Sequence, residues 1–175
     1  QAARQRQGLV PAAPPADLVV FLQESQFNPA QVGGCPDDLC RRPFFDPAQG
    51  DRLQGPLRVH TFGGGTWMSE FTLQTGLPHT LFGRAGDFAP FNLAPGVSQS
   101  LVRSLRRAGY HTVAVYPVRG GMMNARAAYK AYGFDEFLDS DDLGLPGSYT
   151  TPDAALHAAA LARLPQGGAP RAPWF

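Results

Sequence analysis

Apolar and polar positions alternate along the chain in blocks that predict strands and helices in turn. The apolar run of DLVVFLQES (17–25) is typical of a central strand buried on both faces of a parallel sheet. HTVAVYP (111–117) predicts a second buried strand, and FDEFLD (134–139) predicts a short extended segment. PLRVHTF (56–62) alternates apolar and polar residues, which indicates a more exposed strand.

Two helices are predicted between the first and second buried strands. The first runs from Thr66 to about Leu77. The second lies in VSQSLVRSLRRAG (97–109) and stops at Gly109, which suits the position after a helix C-terminus. Its apolar face would consist of Val97, Leu101, Val102 and Leu105.

Two further helices are predicted after the second buried strand. NARAAYKAYG (124–133) predicts a short helix with Asn124 as its N-cap. TTPDAALHAAALARL (150–164) predicts another, with Thr151 as N-cap and Pro152 at the first helical position. Because strand and helix patterns alternate, the sequence predicts an α/β fold with a mostly parallel sheet flanked by helices.

Composition and length limit the domain organisation. The chain has 175 residues, 43% of them hydrophobic, which suits one domain. Its net charge is +1, so charge alone indicates no nucleic-acid partner. Residues 1–16 are rich in Gln, Arg, Ala and Pro and are predicted to be a linker into a domain over 17–175. RAPWF (171–175) has the pattern of a strand that begins, which predicts an incomplete, truncated domain.

The two cysteines, Cys35 and Cys40, lie close together in GGCPDDLC. A short disulfide loop and two free thiols both fit this spacing. A metal site fits less well, because no nearby His or Cys completes a set of four ligands.

A candidate site lies where the first buried strand and the first helix should meet. Glu24 ends the strand, and Thr66 follows Gly63, Gly64 and Gly65 at the start of the helix. A glycine-rich turn lets an anion approach a helix N-terminus closely. Thr66 could also be only a helix cap, and Glu24 only a structural acid. A divalent ion held by both would activate the Thr66 hydroxyl as a nucleophile.

Four segments together carry a resemblance to a known superfamily. They are LVVFLQESQFNP, TFGGGTWMSEFTLQTGLP, LRRAGYHTVAVYP and NARAAYKAYGFDEFLD. Their order and spacing from about residue 17 onward resemble the sulfatase-like, alkaline-phosphatase superfamily. Within it they are most similar to the branch of lipoteichoic acid synthases and phosphoglycerol or phosphoethanolamine transferases.

The resemblance implies roles for particular residues. Glu24 would be a metal ligand, and Thr66 both a metal ligand and the phosphoryl-accepting nucleophile. The substrate pocket would be lined by Tyr116, Asn124 and Arg126. Arg126 is displaced by one residue from the commonest synthase pattern and equally suits a solvated charge on a helix. The metal would be Mn²⁺, Mg²⁺ or Zn²⁺, since all three accept such ligands.

The resemblance also implies a function and a location. The protein would be part of a phosphotransferase that moves phosphoglycerol or phosphoethanolamine from a phospholipid donor to a glycan or lipid acceptor through phospho-Thr66. It would be membrane-anchored and act at the periplasmic or extracytoplasmic face of the inner membrane. That compartment is oxidising and predicts a disulfide between Cys35 and Cys40. There are two alternatives. One is a phosphatase or phosphodiesterase, and the other is a non-catalytic lipid-sensing or partner-binding relative.

One feature of the superfamily is missing from the sequence. Its metal site includes an Asp-His pair late in the domain, whereas none of the histidines here follows an aspartate. The pair is expected beyond Phe175, so we expect these 175 residues alone to lack turnover. The absence of a Cys-x-Pro-x-Arg motif disfavours a formylglycine-dependent sulfatase. The histidines concerned are His60, His79, His111 and His157.

Overall fold

The computed structural model shows a mixed α/β arrangement built on a parallel pair of strands. β1 (Val113–Val115) pairs with β2 (Glu136–Leu138), with Ala114 opposite Phe137. A helix connects them, as parallel strands require. The structure describes residues 15–23, 27–31, 33–36, 40, 55, 57–61, 63–147, 150–164 and 171–175.

Helices outnumber strands in the described part of the chain. The α-helices are α1 (Thr66–Thr75), α2 (Arg84–Asp87), α3 (Ala89–Asn92), α4 (Leu101–Arg107), α5 (Ala125–Tyr132), α6 (Ser140–Leu143) and α7 (Asp153–Arg163). Short 3₁₀ helices lie at Pro29–Gln31, His79–Phe82, Ala94–Gly96 and Met122–Asn124.

The core lies where α1, α3 and α5 meet. Phe71 on α1 and Tyr132 on α5 are almost fully buried there, beside Ala89 and Ala128. Burying such large side chains stabilises a fold by about 2 kcal/mol each. A second cluster packs Ala125 of α5 against β1 and β2. α5 therefore fixes α1 on one side and the strand pair on the other.

Several predicted elements are confirmed. α1 begins at Thr66, β1 and β2 lie within the predicted segments, and Gly109 follows α4 with a left-handed φ of 94°. The predicted α/β class with parallel strands is also confirmed.

The strand predicted over 17–25 is wrong for its described part, 17–23. These residues form no strand, and the apolar side chains are half exposed. Within the described chain, the only backbone hydrogen bond of this segment runs from Leu18 N–H to the Trp174 carbonyl, at 2.8 Å. The apolar run has the pattern of a strand, but residues 19–23 have no neighbouring strand among the residues that the structure describes. Glu24 and Ser25 lie outside the described residues.

The strand predicted over 56–62 is also wrong for its described part, 57–61, which likewise has no neighbouring strand among the described residues. Residues 57–61 form no strand and make no backbone hydrogen bond to another described residue, and Leu57 is 81% exposed.

Two predicted helix starts need correction, while the third, Asn124 as N-cap, is confirmed in position. α4 begins at Leu101 and not at Val97, because the Ser100 hydroxyl accepts the Arg103 amide as an N-cap. α7 begins at Asp153, with Pro152 and not Thr151 at the cap position. Asn124 does occupy the cap position of α5, but its side chain makes no capping bond.

Candidate active site

The glycine turn before α1 places Thr66 at the first helical position. Gly63, Gly64 and Gly65 all have left-handed φ angles of 63–83°, which L side chains rarely adopt. Gly65 is the N-cap, so the cap has no side chain. The interpretation of Thr66 as only a helix cap is therefore wrong. The Thr66 hydroxyl has no hydrogen-bond partner within the described part of the chain, and the residue is half-buried.

A cavity of about 710 Å³ adjoins Thr66. Gly64, Gly65 and Thr66 line it together with Tyr116, which follows β1. The structure thus brings two of the predicted site residues, Thr66 and Tyr116, to one cavity. Much of the remaining wall is apolar and comes from residues 17–23 and from α7.

Sequence reasoning missed Glu70 and Tyr129, which line the same cavity. Glu70 lies one helical turn after Thr66 and is 7% exposed. Burial raises the pKa of the Tyr129 phenol well above its ordinary value. The neighbouring Glu70 carboxylate shares a hydrogen bond with the phenol and raises this pKa further. The spacing of four residues after Thr66 was a signal in the sequence, because such residues share one helix face. The cavity therefore has a polar wall of carboxylate and phenol groups beside the Thr66 hydroxyl.

Arg126 is engaged away from this cavity. Its guanidinium donates to Asp139 at 2.6 Å, to Asp142 at 2.8 Å and to the Phe137 carbonyl at 3.1 Å. The hydrogen bonds to Asp142 and Asp139 raise its pKa. Arg126 thus ties α5 to the end of β2, and a role in substrate binding stays a prediction.

Asn124 also lies outside the cavity wall. Its backbone is left-handed, with φ 58°, and its side-chain amide donates to the Pro90 carbonyl at 3.0 Å. This bond ties the start of α5 to α3. Its predicted contact with substrate is likewise untested.

The predicted metal ligands are only partly described. Thr66 is described at the start of α1, while Glu24 lies outside the described residues, so the metal-binding role of both stays a prediction. Within the described ranges, no group of three or more His, Cys, Asp or Glu side chains is arranged to hold a metal ion. Thr66 offers one hard oxygen ligand, which suits Mg²⁺, Mn²⁺ or Zn²⁺ as part of a larger set.

Two further observations concern the setting of the protein. Cys35 and Cys40 form a disulfide, which confirms the predicted pairing. None of the helices in the described part of the chain is long and apolar enough to cross a membrane.

Known proteins resemble this chain over most of its length. A family model described as sulfatase matches residues 18–172. An uncharacterized protein of Haemophilus influenzae is 39% identical over 130 residues, which cover 74% of this chain and 24% of that protein. A putative cyclic beta-1,2-glucan modification protein of Rhizobium meliloti is 29% identical over 136 residues, covering 73% and 19% respectively.

A solved structure shares the fold. The crystal structure of the lipoteichoic acid synthase LtaP from Listeria monocytogenes superposes with a TM-score of 0.52 and 21% identity, covering 61% of this chain and 26% of that one. The chain thus spans about a quarter or less of the length of the proteins it matches. The sulfatase family model covers residues 18–172, which is most of the 175-residue chain. The chain therefore belongs to the sulfatase family.

Proposed function

We propose that this chain is the nucleophile-bearing part of a metal-dependent phosphotransferase. It would transfer a phosphoglycerol or phosphoethanolamine group from a phospholipid to a glycan or lipid acceptor. The observation that carries the proposal is the Thr66 hydroxyl. It opens α1 after three left-handed glycines, has no partner among the described residues and borders a large cavity. Membership of the sulfatase family and the shared fold with a lipoteichoic acid synthase support this choice.

The first step forms a bond between the Thr66 oxygen and the donor phosphorus. The bond from phosphorus to the diacylglycerol oxygen breaks, and diacylglycerol leaves with the proton that Thr66 loses. The amide N–H groups at the start of α1 face the negatively charged phosphoryl oxygens, because the first N–H groups of a helix have no partner within it. Gly63 and Gly64 have open space beside them and allow close approach, whereas the Met68 side chain lies against Gly65.

The second step regenerates the protein. An acceptor hydroxyl attacks the phosphorus of phospho-Thr66, the Thr66–phosphorus bond breaks, and the proton of the acceptor returns to Thr66. The phenol of Tyr116 and the Glu70–Tyr129 pair line the same cavity and supply polar groups for a head group. With water as the acceptor the same steps make a phosphodiesterase.

A divalent metal ion suits the oxygen ligands expected here. Thr66 would hold it through its hydroxyl and Glu24 through its carboxylate. When bound, the metal would lower the pKa of the hydroxyl and offset charge on the phosphoryl group. The full ligand set would need residues beyond those described.

We propose an extracytoplasmic location, with the full-length protein anchored to the membrane that holds its lipid donor. The Cys35–Cys40 disulfide supports this location, because disulfides persist in oxidising compartments.

The test compares three variants of the full-length natural polypeptide, using fluorescent phosphatidylglycerol and phosphatidylethanolamine as donors. Thr66→Ala should fold and lose roughly 1,000-fold or more in diacylglycerol release. Thr66→Ser should retain measurable turnover, because it keeps a hydroxyl. Thr72→Ala is the matched control, since Thr72 lies on the same helix and outside the cavity wall, and its hydroxyl bonds, among the described residues, only to the Met68 carbonyl.

Near-normal release by a folded Thr66→Ala variant would contradict the proposal. No release by the natural protein from any donor, with metal supplied, would instead favour a non-catalytic relative. Release of free glycerol phosphate without transfer would identify a phosphodiesterase.

A further inference from the structure

Arg126 is the arginine that the resemblance implies for the substrate pocket, but its charge is compensated by two carboxylates. Its guanidinium donates to Asp139 at 2.6 Å and to Asp142 at 2.8 Å. It also lies outside the wall of the 710 Å³ cavity that adjoins Thr66. Any protein cation that binds a phosphate group in this cavity is therefore a different residue.

Arg163 lies in the last turn of α7 and lines the cavity. Among the described residues of the cavity wall it is the only lysine or arginine. α7 also contributes Leu156, Ala160 and Leu161 to the wall, so the arginine lies at the edge of an apolar surface. An apolar wall with one cation suits a ligand that has apolar chains and an anionic group.

The charge of Arg163 is not compensated by a carboxylate within the described ranges. Its guanidinium makes one hydrogen bond there, from Nη2 to the backbone carbonyl of Asp142 at 3.0 Å. A carbonyl orients the side chain without cancelling its charge. Because a guanidinium has five N–H groups, the others remain to bind an anion, and two parallel bonds to one phosphate are a common arrangement.

The bond to Asp142 also fixes where the guanidinium lies in the fold. Asp142 belongs to α6, which follows the carboxyl end of β2. Tyr116 follows the carboxyl end of β1 and lines the same cavity. Arg163 therefore reaches the edge of the sheet at which parallel strands bind their ligands.

Acidic side chains on the cavity wall increase the need for this cation. Glu70 and Asp153 both line the cavity, and a carboxylate repels a phosphate group. Asp17, a third acid on the wall, is already paired with Arg171 at 2.6 Å. Arg163 is the described side chain of the wall that offsets this repulsion.

We propose that Arg163 binds the phosphate group of the phospholipid donor in this cavity. The inference rests on the proposed function, which supplies the phospholipid as the ligand. Arg163 donates to the non-bridging phosphate oxygens, while the apolar wall contacts the acyl chains. An arginine in the last turn of a helix also stabilises that helix, so the test must distinguish phosphate binding from helix stability.

Binding of a water-soluble donor to the full-length protein tests the proposal without requiring turnover. Dioctanoylphosphatidylglycerol would be titrated by calorimetry into the Thr66→Ala protein, with and without Arg163→Gln, in the presence of a divalent metal. Arg163→Gln should weaken binding roughly 10-fold to 100-fold, because charge-assisted hydrogen bonds are lost. Arg163→Lys should weaken it less, since it keeps the charge. Dioctanoylglycerol, which has no phosphate, should bind both proteins equally.

Arg107→Gln is the matched control, because Arg107 also lies in the last turn of a helix, α4, but outside the cavity wall. It should leave the binding of both lipids unchanged. With Thr66 present, Arg163→Gln should raise KM for diacylglycerol release by the same factor as it weakens binding and change kcat little. A role confined to helix stability would lower Tm but leave KM and lipid binding unchanged.

Three results would overturn the proposal. The first is equal binding of the phospholipid with and without Arg163→Gln. The second is an equal loss of binding for dioctanoylglycerol, since Arg163 would then shape the cavity without binding phosphate. The third is inorganic phosphate that binds as tightly as the phospholipid and with the same dependence on Arg163, because the site would then be one for free phosphate.

Failure of this inference and failure of the proposed function give different results. Turnover that requires Thr66 but has an unchanged KM in Arg163→Gln would remove only the role of Arg163. Absence of turnover in the natural protein would contradict the proposed function, and the calorimetric comparison would still decide whether Arg163 binds the phosphate.

Discussion

Asp139 at the end of β2 provides the strongest test of how this fold is held together. Its side chain is only 6% exposed. One carboxylate oxygen accepts the Gly120 amide at 2.8 Å and the Arg126 guanidinium at 2.6 Å. The other accepts the amides of Asp141 and Asp142 at the start of α6. Asp139→Ala removes all four bonds.

The cost of Asp139→Ala follows from these contacts. Losing the N-cap of α6 costs about 1 kcal/mol. Leaving the Gly120 N–H group buried and unpaired costs about 1–3 kcal/mol. The ion pair adds less than about 1 kcal/mol, since Arg126 is 38% exposed and keeps Asp142 as a partner. We expect the free energy of unfolding to fall by roughly 3 kcal/mol.

Urea unfolding followed by circular dichroism measures this change. Asp141→Ala is the matched control, because Asp141 lies two residues away and its carboxylate pairs, within the described part of the chain, only with Arg119, both side chains being more than 60% exposed. It should cost less than about 0.5 kcal/mol. Equal costs for the two variants would contradict the stabilising effect of burial and hydrogen bonding at Asp139.

The pH dependence supplies a second readout. Burial alone would raise the pKa of Asp139, but hydrogen bonds from the Gly120 amide and from Arg126 outweigh it and hold the pKa well below its usual range. An aspartate in the unfolded chain has a pKa of about 4. The lowered pKa of Asp139 therefore stabilises the fold at pH values above about 4, and this stability is lost as the pH falls from there towards the pKa of the folded state. The natural protein should therefore lose more stability between pH 5 and about pH 2 than Asp139→Ala does.

Two further predictions concern the glycines and the disulfide. Gly86→Ala should lower the free energy of unfolding in urea by about 2 kcal/mol or more, because a Cβ atom there collides with the His79 carbonyl. Gly96→Ala is the control and should change it by less than about 0.5 kcal/mol, because the space around Gly96 is open. Equal costs for the two variants would contradict this packing. Thiol titration of unreduced, unfolded protein should find no free thiol at Cys35 or Cys40, and reduction should lower stability by about 2 kcal/mol or less; two free thiols would contradict the pairing.

Local patterns predicted the elements around the candidate site well. The glycine run before Thr66 and the apolar residues after it specify α1, and Gly133 ends α5 with a left-handed φ of 108°. β1 and β2 form because α5 packs across both, so that each strand has a parallel neighbour. In these places the residues that decide the structure lie close together in sequence.

The failures came where a partner lies far away in the chain. Residues 17–23 have the apolar pattern of a buried strand, but a strand needs a neighbour, and the nearest one, Trp174, lies more than 150 residues along the chain. The sequence predicts Arg126 to be either a site residue or a solvated charge, because its partners Asp139 and Asp142 are revealed by no local pattern. Glu70 could have been found from its helical spacing to Thr66.

The central claim, that Thr66 is the nucleophile, is tested most directly by mass spectrometry of the full-length protein. The protein would be incubated with phosphatidylglycerol or phosphatidylethanolamine and a divalent metal, without acceptor, then quenched in acid and digested. We expect a Thr66 peptide that carries the donor's phosphoglycerol or phosphoethanolamine group, and no such adduct in Thr66→Ala. Donor turnover with an unmodified Thr66, or with the group on another residue, would contradict it.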